Sequence, residues 1–130
     1  VKVLKYVAVH DVGFVVHPKA VEGQIEGATA MSLGQALCEQ VVHNDQGHTL
    51  NPTFVDYVMP TINMLPRIET TIVSGYPGAG PYGTKGAGEI GSVPPMACIA
   101  NAIYNATGVR IRRLPLSPEN VLRALREASK

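Results

Sequence analysis

The chain has 130 residues, of which 45% are hydrophobic and 16% are charged, and its net charge is +1. This length suits one domain with a moderate core, and the composition is that of a folded protein rather than a disordered one. The small net charge excludes a strong electrostatic preference for nucleic acid or membrane lipid, and no apolar run reaches the roughly 18 residues of a membrane span. We therefore expect a single domain over residues 1–130.

The first part of the chain predicts a strand followed by a long helix. Residues 3–9 are rich in valine and alternate weakly, which is typical of a strand. His17-Pro18 indicates a helix start, because a proline at the first helical position gives up no hydrogen bond. Apolar residues at helical spacing then predict a helix from about Lys19 to Val42.

This predicted helix is unusually rich in small residues. Gly23, Gly27 and Gly34 stand in its interior, and each glycine costs up to about 1 kcal/mol relative to alanine. Close packing of another backbone or of a ligand would offset that cost. Gln24 shares a helix face with Gly27 and Ala28, and it is either an ordinary surface glutamine or a contact for such a ligand.

The second part of the chain predicts a strand, a helix, a short strand and a last helix. The β-branched run from Ile68 to Val73 is typical of a strand. Pro94-Pro95 opens an amphipathic helix, for which Gly108 is a natural C-cap. Residues 109–113 alternate like a short strand, and Ser117 caps the last helix. Together these elements predict an α+β fold in which a small mixed sheet is packed by about three helices.

The two cysteines, Cys38 and Cys98, each stand among apolar residues at helical spacing. We expect both to be buried, reduced thiols, which favours a cytoplasmic location. Two thiols cannot supply the four ligands of an iron–sulfur cluster. The four histidines lack the spacing of a zinc site, so the sequence predicts no metal bound directly by its side chains.

A glycine-rich loop, Gly83-Thr84-Lys85-Gly86-Ala87-Gly88-Glu89-Ile90-Gly91, carries one carboxylate among its glycines. Because glycine has no side chain, such a loop can press its backbone against a ligand and bring Glu89 to that contact. The helix that opens at Pro94 points its positive end toward this carboxylate. Glu89 is therefore either a general base beside a ligand or an exposed glutamate in a surface loop.

The segment 86–91 also matches the letters of the dinucleotide-binding pattern G-x-G-x-x-G. That pattern needs a hydrophobic strand directly before it and a helix that opens within it. Here a segment rich in proline and glycine precedes the loop, and two prolines delay the helix. Nucleotide or phosphate binding is therefore a minor alternative, which titration with NAD or ATP would test.

Two motifs in a fixed order resemble those of a known family. The first consists of Asp11-x-Gly13, His17-Pro18 and Glu22-Gly23-Gln24-Ile25-Glu26-Gly27-Ala28, and the second consists of Gly83-Thr84-Lys85-Gly86-Ala87-Gly88-Glu89 with Pro94-Pro95 and the closing helix. Over nearly its whole length the chain resembles the C-terminal part of the molybdopterin-binding large subunit of the xanthine dehydrogenase, aldehyde oxidase and carbon monoxide dehydrogenase family. The expected fold is then a C-terminal portion of a molybdenum hydroxylase cofactor-binding domain.

The resemblance implies an oxidoreductase with molybdopterin as its cofactor and an aldehyde or N-heterocycle as its small-molecule substrate. Glu89 is then the catalytic base for a water-derived oxygen that attacks an electron-poor carbon. Gln24, Gly86, Ala87 and Gly88 contact the cofactor. The sulfur atoms of the pterin hold the metal, so the resemblance requires no metal ligand from the protein.

The resemblance also implies partners. Molybdenum subunits of the family are several times longer than this chain, so the remaining molybdopterin-binding chain should supply further cofactor contacts, and iron–sulfur and flavin subunits should take the electrons. The chain is then a fragment or small subunit, inactive alone. A non-catalytic scaffold or interaction subunit that keeps the fold is the alternative.

The chain departs from the family pattern at two places. The family often has Asn-Pro where this chain has His17-Pro18, and Gly-Gly where it has Gly27-Ala28, which leaves the subfamily open.

Overall fold

The computed structural model describes residues 1–129, which form three α-helices and two β-strands. In chain order the elements are β1 (Lys5–Asp11), α1 (Pro18–Leu37), β2 (Arg67–Val73), α2 (Pro94–Thr107) and α3 (Pro118–Ala128), with short 3-10 turns at Ile62–Met64, Pro81–Gly83 and Ile90–Ser92. The predicted α+β fold, with a small sheet and three helices, is confirmed.

The two strands pair in parallel, from Lys5 opposite Arg67 to Asp11 opposite Val73. β1 lies two residues later in the chain than the predicted strand at 3–9, whereas the strand predicted at Ile68–Val73 is confirmed. Because parallel strands end at the same edge of a sheet, the segments that follow β1 and β2 leave the sheet side by side. This edge positions the candidate site.

α1 begins where the sequence predicts, with Pro18 as its first residue. The preceding His17 has an extended backbone, and its Nδ1 accepts a hydrogen bond from the backbone N–H of Ala20 at 3.1 Å. This bond satisfies one of the amide groups that a helix start leaves without an intrahelical partner.

α1 ends at Leu37, so the predicted end at Val42 is wrong. The backbone N–H groups of Cys38 and Glu39 both donate to the carbonyl of Gly34, at 2.9 and 2.8 Å, which closes the last turn. A Cβ on Gly34 would lie 2.8 Å from ring carbons of Pro60. A distant segment therefore packs against the helix end, which the local apolar pattern does not reveal.

The main core lies between α1, α2 and the segment before α3. Its buried members are Leu33, Ala36, Ile99, Ile103 and Leu116. The backbone N–H of Leu116 donates to the carbonyl of Ala36 at 2.6 Å, which fixes the chain before α3 against α1. The predicted face of α2 is confirmed at Ile99 and Ile103, which are 4% and 6% exposed.

The strand predicted at 109–113 is wrong, because this segment belongs to no sheet of the described chain. Val109 and Ile111 are half-buried, whereas Arg110 and Arg112 are exposed. Ile111 packs against the core. The alternation in the sequence thus reflects burial at the edge of the core and not strand pairing.

Both predicted caps near the end of the chain are confirmed. Gly108 ends α2 with φ +73°, and its N–H donates to the carbonyl of Tyr104 at 2.7 Å. The side chain of Ser117 accepts a hydrogen bond from the N–H of Asn120 at 3.3 Å, at the start of α3. A positive φ suits glycine because it lacks a Cβ, and a serine oxygen satisfies an unpaired N–H at a helix start.

Replacing the cap serine should therefore destabilise the chain by about 0.5–2 kcal/mol, measured as the free energy of unfolding in urea for Ser117→Ala. The control is Ser74→Ala, because Ser74 is exposed and follows β2. Equal unfolding free energies for the two variants would show that the cap does not stabilise α3.

The cysteine prediction is wrong in part. Cys38 is half-buried and Cys98 is exposed, and both are free thiols. Cys98 follows the apolar spacing of α2 but lines a groove that it shares with Tyr6 of β1.

Within residues 1–129, no helix combines the length and the apolar character that a bilayer crossing requires.

Candidate functional site

The glycine-rich loop and the segment after β1 meet at the carboxyl end of the sheet. Lys85 Nζ donates to Asp11 Oδ2 at 2.8 Å, across 74 positions of sequence. The backbone N–H of Lys85 donates to the carbonyl of Val12 at 2.9 Å, and that of Phe14 donates to the carbonyl of Gly83 at 3.2 Å. The first half of the loop is therefore fixed to the end of β1.

Gly13 lets the two segments come this close. It has φ +63°, and a Cβ at this position would collide with the carbonyl oxygen of Gly83. Its N–H donates to Asp11 Oδ1 at 2.9 Å. Both the backbone conformation and the close approach thus require glycine here.

The Asp11 carboxylate is held in its charged form by these contacts. Lys85 donates to it, and the backbone N–H groups of Gly13 and Tyr76 stabilise the negative charge further. Together they lower the pKa of Asp11 from 3.8 to about 2. The ion pair therefore persists through the whole neutral and mildly acidic range.

This shift predicts how the stability contribution of Asp11 depends on pH. Because the folded-state pKa of Asp11 lies below its unfolded value, the contribution is fully present above about pH 4 and is lost as the pH falls through about 2. Asp11→Asn should lower the urea midpoint at pH 6, and the difference from the wild type should largely vanish by pH 2. Asp45→Asn, in an exposed turn, is the control. A difference that is as large at pH 2 as at pH 6 would contradict this account.

The second half of the loop is fixed to α1. Gly91 is buried, and a Cβ there would lie 2.9 Å from the carbonyl oxygen of Ile25 and 3.1 Å from the Ala28 side chain. Ser32 is 0% exposed, and its Oγ donates to the carbonyl of Ser92 at 2.6 Å. The chain just after Glu89 therefore packs directly on the helix that carries Gln24.

Gln24 and Glu89 line the same concavity. Its volume is about 220 Å³, and we call it the Gln24–Glu89 concavity; its lining residues are Gly23, Gln24, Gly27, Ala28, Met31, Gly88 and Glu89. A neighbouring cavity of about 460 Å³ is lined in part by Gln24, Ala87 and Gly88, so the two share a wall. Gly86 lines neither of them. Gln24 and Glu89 are themselves exposed in the described chain.

Four glycines, three of which line this concavity, have no close packing partner within the described chain. Apart from chain neighbours and the backbone of the same helix, a Cβ on any of them would meet no heavy atom within 4 Å, and none has a positive φ; they are Gly23, Gly27, Gly86 and Gly88. Gly23 and Gly27 nevertheless lie in a helix, where glycine is unfavourable. These four positions differ from Gly13 and Gly91, which packing requires. The space in front of them is open to a molecule outside the chain.

The sequence prediction missed the residues that fasten the loop. Asp11 and Lys85 appeared only as letters of the two motifs, and their pairing across 74 positions has no local signature. Ser32 and Gly91 were likewise not predicted to contact the other segment. The opposite charges in two motifs expected to share a site are the one signal that could have suggested the Asp11–Lys85 pair.

Comparison with known proteins gives a consistent result. The family model described as "Molybdopterin cofactor-binding domain" matches residues 1–66. The xanthine dehydrogenase molybdenum-binding subunit of Escherichia coli is 40% identical over 114 residues, which is 87% of this chain. The chain spans about 15% of the length of that relative.

Solved structures extend the similarity to nearly the whole chain. Quinoline 2-oxidoreductase from Pseudomonas putida 86 superposes with a TM-score of 0.90 at 32% identity, over 97% of this chain and 16% of that one. The aldehyde oxidoreductase from Desulfovibrio desulfuricans superposes with a TM-score of 0.83 at 40% identity, over 95% of this chain and 13% of that one. The small sheet and three helices of this chain therefore correspond to one part of each of these larger structures.

Proposed function

Because the chain belongs to the molybdopterin cofactor-binding family of molybdenum-binding subunits, we propose that it is part of a molybdenum hydroxylase that oxidises an aldehyde or an N-heterocycle. In this proposal Glu89 is the general base, and Gln24, Gly86, Ala87 and Gly88 contact the cofactor. The observation that carries the proposal is the Gln24–Glu89 concavity, in which one amide, one carboxylate and open glycines face the same space.

The residues present fit a pterin cofactor. A pterin is a flat heterocycle whose edges donate and accept hydrogen bonds, and the Gln24 amide offers both a donor and an acceptor. The open positions Gly23, Gly27 and Gly88 leave room for a ligand to approach the backbone of α1 and of the loop. When bound, the cofactor supplies the two-electron redox chemistry that these side chains lack.

Glu89 supplies the proton-accepting group. Its carboxylate would take a proton from water as the water oxygen adds to an electron-poor carbon of the substrate, a role worth about 10²–10⁴-fold in rate. The loop is fixed on both sides of Glu89, at Lys85 and at Ser92, so the backbone that carries this carboxylate has a defined position. Gln24, on a rigid helix, would orient the cofactor against it.

The remaining parts of the site would come from other polypeptide. The chain spans about 15% of its relative, which is named as a molybdenum-binding subunit, so further cofactor contacts and the substrate channel would lie in the rest of that subunit. Covering the concavity would also remove Glu89 from bulk water. Electrons would then pass to iron–sulfur and flavin groups on partner subunits, and the chain alone would be inactive.

Metal analysis distinguishes this function from a non-catalytic scaffold with the same fold. The complex that contains this chain, purified from its native host, should carry molybdenum and a co-purifying larger chain. Turnover should follow the molybdenum content across preparations. A complex that contains the larger chain but no molybdenum would contradict the proposal and favour the scaffold.

A further inference from the structure

We propose that Asp11 and Lys85 are positioning residues for Glu89: their ion pair fastens the upstream end of the loop, so that the Glu89 carboxylate keeps its place beside Gln24. The inference rests on the proposed function of Glu89 and concerns how the base is held. Neither residue needs to contact the substrate or the cofactor for this role.

The loop itself gives Glu89 little support. Three residues, Gly86, Ala87 and Gly88, separate Lys85 from Glu89, and both glycines face open space. Glycine restrains the backbone less than any other residue. The backbone position of Glu89 is therefore set by the two ends of the loop, and the downstream end is already fixed by Gly91 and Ser92.

The upstream end depends on the Asp11 carboxylate. Its Oδ1 accepts the N–H of Gly13 at 2.9 Å, and its Oδ2 accepts Lys85 Nζ at 2.8 Å. The two side chains of the pair are 29% and 32% exposed, so the contact is partly shielded from water. With both oxygens engaged, Asp11 cannot rotate toward another partner without losing one of these bonds, and Lys85 is held at the end of β1.

Lys85→Met removes the charge but keeps a side chain of similar length, and Lys85→Arg keeps the charge. In the assembled enzyme, Lys85→Met should lower kcat by up to about 100-fold, because a displacement of about 1 Å at a reacting group can cost this much. KM and molybdenum content should stay near the wild-type values, and Lys85→Arg should recover most of kcat. Lys2→Met, at an exposed position, is the control and should behave as the wild type.

Hydrogen exchange provides a readout that does not depend on turnover. In Lys85→Met the amides of Phe14 and Lys85, which bond across the two segments, should exchange faster than in the wild type. Amides within α1 should be unchanged, which would show that the fold is intact. Unchanged exchange at Phe14 and Lys85 together with normal kcat would overturn the proposal.

The double variant Lys85→Met/Glu89→Gln separates this inference from the proposed function. If Lys85 acts through Glu89, the double variant should be no slower than Glu89→Gln alone. Losses that multiply would overturn the positioning role. Normal turnover in Glu89→Gln would defeat the proposed function and the inference with it, whereas an inactive Glu89→Gln beside a fully active Lys85→Met would defeat the inference alone.

Discussion

Glu89→Gln is expected to lower kcat of the assembled enzyme by about 10²–10⁴-fold while its molybdenum content stays at the wild-type level. Glutamine has nearly the same shape as glutamate, but its neutral amide cannot accept a proton near neutral pH. Glu89 is exposed in this chain and follows the open position Gly88, so the substitution removes no core packing. The loss should therefore lie in the chemical step and not in folding or cofactor binding.

The measurement is steady-state turnover of an aldehyde, expressed per molybdenum atom. Glu127→Gln is a suitable control, because Glu127 is an exposed carboxylate on α3 and lines a different cavity. It should leave kcat unchanged. Turnover of Glu89→Gln at the wild-type rate, with full molybdenum, would exclude Glu89 as the base.

Gly27→Leu is expected to deplete the assembled enzyme of molybdenum even though it should not destabilise the chain. Apart from its chain neighbours and the backbone of α1, no heavy atom of the described chain lies within 4 Å of a Cβ at Gly27, and its φ is not positive. Leucine is also a better helix former than glycine, so α1 should gain up to about 0.8 kcal/mol. A leucine side chain would, however, fill the Gln24–Glu89 concavity from its helical wall.

Two measurements on the same preparations test this prediction. Molybdenum per complex should fall to a small fraction of the wild-type value, while the urea midpoint of the chain should be equal or higher. Gln35→Leu introduces the same side chain at an exposed position of α1 and should keep its molybdenum. Full molybdenum content in Gly27→Leu would show that the cofactor does not approach this face of the helix.

Local sequence patterns were sufficient to predict the elements whose ends depend on interactions with neighbouring residues. The start of α1 at Pro18, the C-cap at Gly108 and the N-cap at Ser117 each depend on hydrogen bonds within a few residues, and all three are present. β2 was also predictable, because its run of β-branched residues is bounded by proline and glycine. These features need no knowledge of the tertiary fold.

The predictions were wrong for elements whose extent depends on packing against distant segments of the chain. Val41 and Val42 continue the apolar pattern of α1, but Gly34 packs against Pro60 and the helix closes at Leu37. Burial of Ile111 at the core produces a strand-like alternation in a segment that has no strand partner. An apolar periodicity reports which residues are buried, and it does not report what they are buried against.

In the candidate site, too, some residues could be predicted from local sequence, whereas their arrangement depends on the tertiary fold. The loop residues could be selected from the sequence because one carboxylate among several glycines is distinctive. Gln24 could be selected because it is a polar amide on a helix face of small residues, and the resemblance to a family assigned it a cofactor contact. Their common concavity and the Asp11–Lys85 pair depend on how the end of β1, α1 and the loop come together in space. The difference between open glycines and tightly packed ones likewise depends on which distant segments the tertiary fold brings against each position.

A structure of the assembled enzyme with its cofactor bound tests the central claim most directly. The account predicts that an edge of the pterin lies about 3 Å from the Gln24 side-chain amide, with the reactive centre beside the Glu89 carboxylate. Cofactor density elsewhere in the assembly, with the Gln24–Glu89 concavity filled by solvent and Glu89 facing bulk water, would contradict it.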